Sequence, residues 1–244
     1  NRCGFSSFRN IAGTKPVRRI PSYQELIGNF RLLQRLIIGI AQSYVLITGN
    51  IDLSIGSVVG MSTMVAATLM SKGIMSPIPA LLVTLLCCLL IGVLNGLLVA
   101  KFKLPPFIAT LGTMTVARGI AQLVNGNYNT DSIMKFYPEA AQTFKNVFYY
   151  GKTLGLYNGI WIAIILWIVF NFLLSKPRTG RYIYATGSNI DAARLSGVNV
   201  VSTTVIAYVV SAFCSFVVGI ITCATVGQGT MDAGNSYEMY AVAA

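Results

Sequence analysis

Apolar and polar residues are sorted along this chain into long blocks. Apolar runs cover residues 32–48, 53–70, 80–100, 107–124, 159–174 and 200–226, and residues 239–244 begin as another. Each run is near the ~20 residues that one helical crossing of a bilayer requires. A helix enclosed by lipid and protein can be apolar all round, so the runs need no polar face. They do not alternate in the ten-residue pattern of a membrane β-barrel. The expected fold is therefore all-α: a polytopic transmembrane helix bundle with at least six apolar segments. Polar joints separate the runs: Gly49-Asn50-Ile51-Asp52, Pro77 with Pro79, and Lys101 to Pro106. Residues 125–158 are rich in Tyr and Asn and too mixed to span. Residues 175–199 form a charged loop, and residues 227–238 a polar tail.

Composition supports this reading. Hydrophobic residues make up 55% of the 244 and charged residues 10%, where a soluble domain carries roughly a quarter charged. The mean hydropathy is +0.67. A net charge of +11 could suggest nucleic acid, but Lys and Arg lie between apolar runs, as in cytoplasmic loops of membrane proteins. Lys176, Arg178, Arg181 and Arg194 put residues 175–199 in the cytoplasm. Counting spans then places residues 125–158 outside, Lys101 and Lys103 inside, and the tail with Asp232 and Glu238 outside. The same count puts the basic N-terminus (Arg2, Arg9, Lys15, Arg18, Arg19) outside, against the rule. Either the joint at residues 49–52 alters the count or a span precedes the first run. The N-terminus lacks the short apolar core of a secretory signal.

Catalytic chemistry finds little material. There is no His, and four of the five cysteines (Cys87, Cys88, Cys214, Cys223) sit inside apolar runs without zinc spacing. They read as small packing residues, and no catalytic, metal or cofactor site is expected. Gly151-Lys152-Thr153 imitates the end of a phosphate loop, but Asn146 stands where the first Gly is needed. Gly227-Gln228-Gly229 lacks its third Gly, since Asp232 holds that place.

Two stretches carry more information. Residues 49–56, Gly49-Asn50-Ile51-Asp52-Leu53-Ser54-Ile55-Gly56, put a carboxylate between two apolar runs. Ionisable groups at membrane depth are costly unless paired or hydrated, and tend to mark functional regions. Asp52 can cap the following helix by accepting backbone N–H groups, or contact a solute, and the two are compatible. Small residues recur at helical spacing at Gly56, Gly60, Thr63 and Ala67, and at Gly92 and Gly96 beside Asn95, the pattern of close-packing seams. Asn95, Thr110 and Thr113 can pack between helices or line a path. In the cytoplasmic loop, Asp191 to Gly197 reads as a short helix, capped by Ser188 or Asn189 and ended by Gly197. Two turns are marginal alone in water, so docking on a partner is expected.

At these stretches the sequence resembles the permease subunits of bacterial ABC importers for monosaccharides, of the ribose, xylose and galactose type. The residues that carry the resemblance are 47–56, 107–113, 233–238, and Gly180-Arg181-Tyr182-Ile183-Tyr184-Ala185 through Ala192-Ala193-Arg194-Leu195-Ser196-Gly197 to Val200. It covers about residues 21–244; residues 1–20 match nothing. The resemblance implies a multi-pass permease of a prokaryotic cell membrane, in contact with lipid, that carries a monosaccharide or similar small polar solute. It implies cytoplasmic ABC ATPase subunits, an extracytoplasmic solute-binding protein and a second, identical or different, permease subunit as partners. ATP hydrolysis would belong to the partner. Residues 1–244 are then one permease domain, incomplete at both ends, with a span before the first run and several after Ala244. Residues 175–199 become the coupling loop, with Gly180, Arg181, Asp191, Ala192, Arg194, Leu195 and Gly197 as its candidate contacts. Candidates for the translocation path are Asn50, Asp52, Ser54, Asn95, Thr110 and Thr113. The alternatives are a branched-chain amino acid permease, or a secondary transporter or channel; for the latter, Asp52 and Arg118 alone make a poor proton relay.

Overall fold

The computed structural model describes the backbone of residues 23–243 and the side chains of residues 32–240; the basic N-terminal residues 2–19 lie outside the described part. Each of the six apolar runs folds as a helix: α1 (Tyr23–Ile47), α2 (Ile55–Ser71), α3 (Pro77–Ala100), α4 (Pro106–Leu123), α6 (Asn158–Ser175) and α9 (Val200–Val226). Shorter helices are α5 (Pro138–Lys145), α7 (Arg178–Ser188), α8 (Ile190–Leu195) and α10 (Tyr237–Ala243). Prolines open α3, α4 and α5, where a missing N–H has no helical partner to lose. Gly227 ends α9 with a left-handed residue at φ 79°.

Among the described residues, α3, α6 and α9 are the helices long and apolar enough to cross a membrane. The apolar part of α1, Leu32–Ile47, and α2 are shorter, and α4 is interrupted by Arg118. The fold is thus helical with three clear spans.

The core gathers on α9, which packs against α1, α2 and α3 and buries Tyr208, Cys214, Val218, Ile220, Ile221 and Cys223. Where α3 crosses α9, Gly92 lies against Ala212 and the Tyr208 carbonyl, and Gly96 against Val205, so a Cβ at either would collide. This seam is close helix–helix packing. The opposite face of α3 presents Ile78, Leu82, Leu86, Leu90 and Leu94, spaced four apart and all exposed. α6 exposes Ile165, Trp167, Ile168 and Phe172. Such continuous apolar faces belong against lipid or another membrane helix.

Two stretches expected as loops hold more structure. Residues 125–158 contain α5, a π-helical turn (Asn146–Tyr150) and a small hairpin of β1 (Lys152–Thr153) and β2 (Leu156–Tyr157). The hairpin turn is Leu154-Gly155, both at positive φ, as a two-residue hairpin requires. This ribbon is a small exception to the all-α expectation. Residues 175–199 hold two helices, not one, because α7 has an inward face of Gly180, Ile183 and Thr186 at spacing three. Ile183 and Thr186 are buried, and Gly180 lies flush against the Leu174 carbonyl at the end of α6.

Candidate translocation and coupling sites

Between α1 and α2 the chain turns through residues 48–54. Gly49 takes φ 76°, a conformation glycine enters at little cost, and the backbone runs on without helical bonds to Ser54. Asp52, 3% exposed, fills the gap. Its Oδ1 accepts from the Ser54 amide at 2.9 Å and the Ser54 hydroxyl at 2.7 Å, and its Oδ2 accepts from Ser211 on α9 at 2.7 Å. Ser54 Oγ in turn accepts from Asn95 Nδ2 on α3 at 2.9 Å, and Asn95 Oδ1 accepts from Thr113 on α4 at 2.6 Å. Tyr208 on α9 donates to the Ile51 carbonyl at 3.1 Å. Asp52 thus holds Ser54, the residue before α2, through its amide and hydroxyl, and also begins a chain of buried polar contacts that joins the break to three helices. At low dielectric a satisfied network of this kind is rigid, and any missing member is costly.

Four of the six path candidates, Asp52, Ser54, Asn95 and Thr113, therefore meet. Thr110 stands apart, its hydroxyl turned back to the Pro106 carbonyl at 2.8 Å. Asn50 bonds the Thr48 hydroxyl at 2.9 Å and lines a cavity of about 360 Å³ with Thr48, Lys103, Pro105, Thr186 and Arg194. In that cavity the break in the membrane domain and the charged loop come together.

The coupling candidates sit on α7 and α8. Asn189 Oδ1 caps α8, accepting from the amides of Asp191 and Ala192 at 3.0 Å each. Asp191 and Arg194 pair loosely at 3.9 Å in solvent, a contact of small energetic weight. Gly197, at φ 80°, turns the chain toward α9. Ala193 is buried on the protein side, while Leu195 is 90% exposed and Ala192 is exposed beside it. Arg181 points to solvent on α7. Just before α8, the Cα of Gly187 lies against the Ile47 carbonyl at the last turn of α1, leaving no room for a Cβ.

A further element was not legible as a site. After α9 the chain runs back along α2: Gly229 lies against Ala67, Ala233 against Gly60 and Gly234 against Gly56. Those contacts run from Gly56 to Ala67 of α2, about 16 Å of helix. The seam at Gly56 and Gly60 thus seats irregular backbone, where the sequence suggested bundle packing. Irregular backbone at this depth needs partners inside the protein. Arg118 Nη1 supplies them, donating to the Met231 carbonyl at 2.9 Å and the Ala233 carbonyl at 3.1 Å. Thr130 and Asn129 hold the outer part through the amides of Gly229 and Met231. The signal available in the sequence was Arg118, a lone cation in an apolar run.

A family model described as "Branched-chain amino acid transport system / permease component" matches residues 32–244, which takes in α2, α3, α4, α6, α7, α8 and α9 whole. The chain belongs to this family. The permease is 38% identical to the ribose import permease protein of Haemophilus influenzae over 211 residues, 85% of this chain and 63% of the relative. It is 32% identical to the ribose import permease protein of Escherichia coli K12 over 228 residues, 92% of this chain and 70% of the relative. With the D-allose transport system permease protein of the same strain it shares 31% over 208 residues, 85% of this chain and 61% of the relative. The permease thus spans about two thirds of the length of these relatives. No solved structure matches it. Its membership and its apolar helices make it a multi-pass membrane protein.

Proposed function

We propose that this permease is the membrane-spanning, non-catalytic subunit of an ATP-binding-cassette importer for a monosaccharide or similar small polar solute. The similarity to ribose and allose permeases supports the sugar class. A second reading, import of a branched-chain amino acid, has the family's description behind it. We further propose that six or more spans form the complete path, with cytoplasmic ATPase subunits, a second permease subunit and an extracytoplasmic binding protein as partners.

The observation that carries the mechanism is α8: a six-residue helix with Leu195 90% exposed. So short a helix gains little alone, and its bare leucine beside Arg194 suits a groove with an acidic edge on a cytoplasmic ATPase. Movement of α8 reaches the membrane through Gly187 on Ile47 and through the shared cavity at Asn50 and Arg194. The polar candidates Asp52, Ser54, Asn95 and Thr113 serve transport by holding the helices around the break, with Asn50 and Thr110 nearer the cytoplasmic mouth.

Leu195→Asp and Arg194→Glu, neither of which touches a span, test this reading. In the reconstituted complex, both variants should insert normally but lose ATPase co-purification or the rise in ATPase activity caused by loaded binding protein. Normal assembly and normal stimulated transport in both would overturn the coupling role.

A further inference from the structure

Away from the Asp52 network, polar side chains also converge between α1 and α10. A cavity of about 300 Å³ lies between α1 and α10, lined by Gln34, Arg35, Ile38, Asn235, Tyr237 and Tyr240. Gln34 and Arg35 lie near the start of the apolar part of α1, Leu32–Ile47. A guanidinium and an amide turned to lipid there are expensive, so this face suits water or another protein surface.

One wall is rigid. Gln34, 2% exposed, has both ends of its amide engaged: Oε1 accepts from the Tyr237 hydroxyl at 2.6 Å, and Nε2 donates to Thr222 on α9 at 2.8 Å. Among the described residues the other wall is open, with Asn235 Nδ2 donating to Asp232 at 3.3 Å. The Arg35 guanidinium lies over the Tyr240 ring at 4.6 Å, and Arg35, Asn235 and Tyr240 are all exposed. Five of the six lining side chains carry nitrogen or oxygen, and Ile38 alone is aliphatic.

We infer that this cavity is a transit site for a sugar within the permease, with Arg35 and Asn235 meeting hydroxyl groups and Tyr240 offering its ring to the sugar's C–H face. The inference rests on the sugar-import reading and gives it a place. The volume is at the lower end of small-molecule sites. A branched aliphatic side chain would find an apolar wall only at Ile38, whereas a polyhydroxylated ring finds amide, guanidinium and phenol groups around it.

The test uses the full-length permease, reconstituted with its ATPase and binding protein, and D-ribose as probe. Asn235→Ala and Tyr240→Ala should each lower the uptake rate about tenfold at matched ATPase co-purification, as expected where a solute contact is lost. Tyr240→Phe, which keeps the ring, should lose less uptake than Tyr240→Ala. Because an Ala variant could fail for reasons of folding, a second measurement reads the cavity directly. In a permease without native cysteines, alkylation of the thiol in Asn235→Cys should be slowed by D-ribose and unaffected by L-leucine. Wild-type uptake in both Ala variants, or protection by L-leucine and not D-ribose, overturns the inference. Failure of the wild-type complex to carry either D-ribose or D-allose overturns the sugar reading and the subsite with it.

Discussion

Asp52 accepts three hydrogen bonds inside the bundle, from Ser211 and from the amide and hydroxyl of Ser54, while Asp131 pairs with Lys135 in solvent at 2.7 Å. The two carboxylates therefore respond differently to removal. Asp52→Ala leaves buried donors on Ser54 and Ser211 without their acceptor, a cost of about 1–3 kcal/mol. It should lower both thermal stability and uptake. Asp131→Ala removes an exposed i, i+4 pair and should leave both unchanged. The Lys135 hydrogen bond holds the Asp131 carboxyl below its usual range, so that pair persists through neutral pH and weakens only in acid. Equal, wild-type uptake in the two variants would mean that the break at residues 48–54 is merely a connection. Asp52, Ser54, Asn95 and Thr113 could be picked out as polar residues in or beside apolar runs. Ser211 could not, because a serine inside a membrane helix usually bonds its own backbone and its partner here is 159 residues distant.

At the scale of elements, the helices followed directly from the runs: α9 begins and ends where its apolar run does, at residues 200 and 226. Capping chemistry likewise marked α8: of the two candidate caps, Ser188 and Asn189, the structure uses Asn189, and Gly197 turns the chain after it. The return of residues 229–234 along α2 stayed hidden, since polar, glycine-rich sequence reads as a surface loop whether or not it re-enters. What holds it, Arg118 on two carbonyls, is a long-range contact that no local pattern encodes. One close junction between elements is Gly187 of α7 on the Ile47 carbonyl. Gly187→Ala should force α7 away from the end of α1 and reduce uptake per ATP hydrolysed. Gly112→Ala on α4, where a Cβ meets nothing within 4 Å, should leave that ratio intact. Equal ratios in both would remove the α7–α1 junction from the coupling route.

For the whole molecule, the exposed stripes on α3 and α6 and the buried α9 describe a bundle whose outer surface is apolar and whose polar groups point inward or to its ends. From the loop charges we propose that residues 175–199 face the cytoplasm and residues 125–158 the outside. The exposed positions Ser188 and Tyr128 allow a check that spares the Asn189 cap and the Asn129 contact. In intact cells, an impermeant thiol reagent should label Tyr128→Cys and not Ser188→Cys, in a background without native cysteines; the reverse labelling would invert the topology.

The central claim, that this permease carries a sugar at the expense of ATP hydrolysed by a partner, meets its most direct test in proteoliposomes. These would contain the full-length permease, its ATPase and its binding protein, with D-ribose as solute. The account predicts uptake that requires ATP on the ATPase side and binding protein on the other, with none driven by a proton or sodium gradient alone. Gradient-driven uptake by the permease without its ATPase would contradict it.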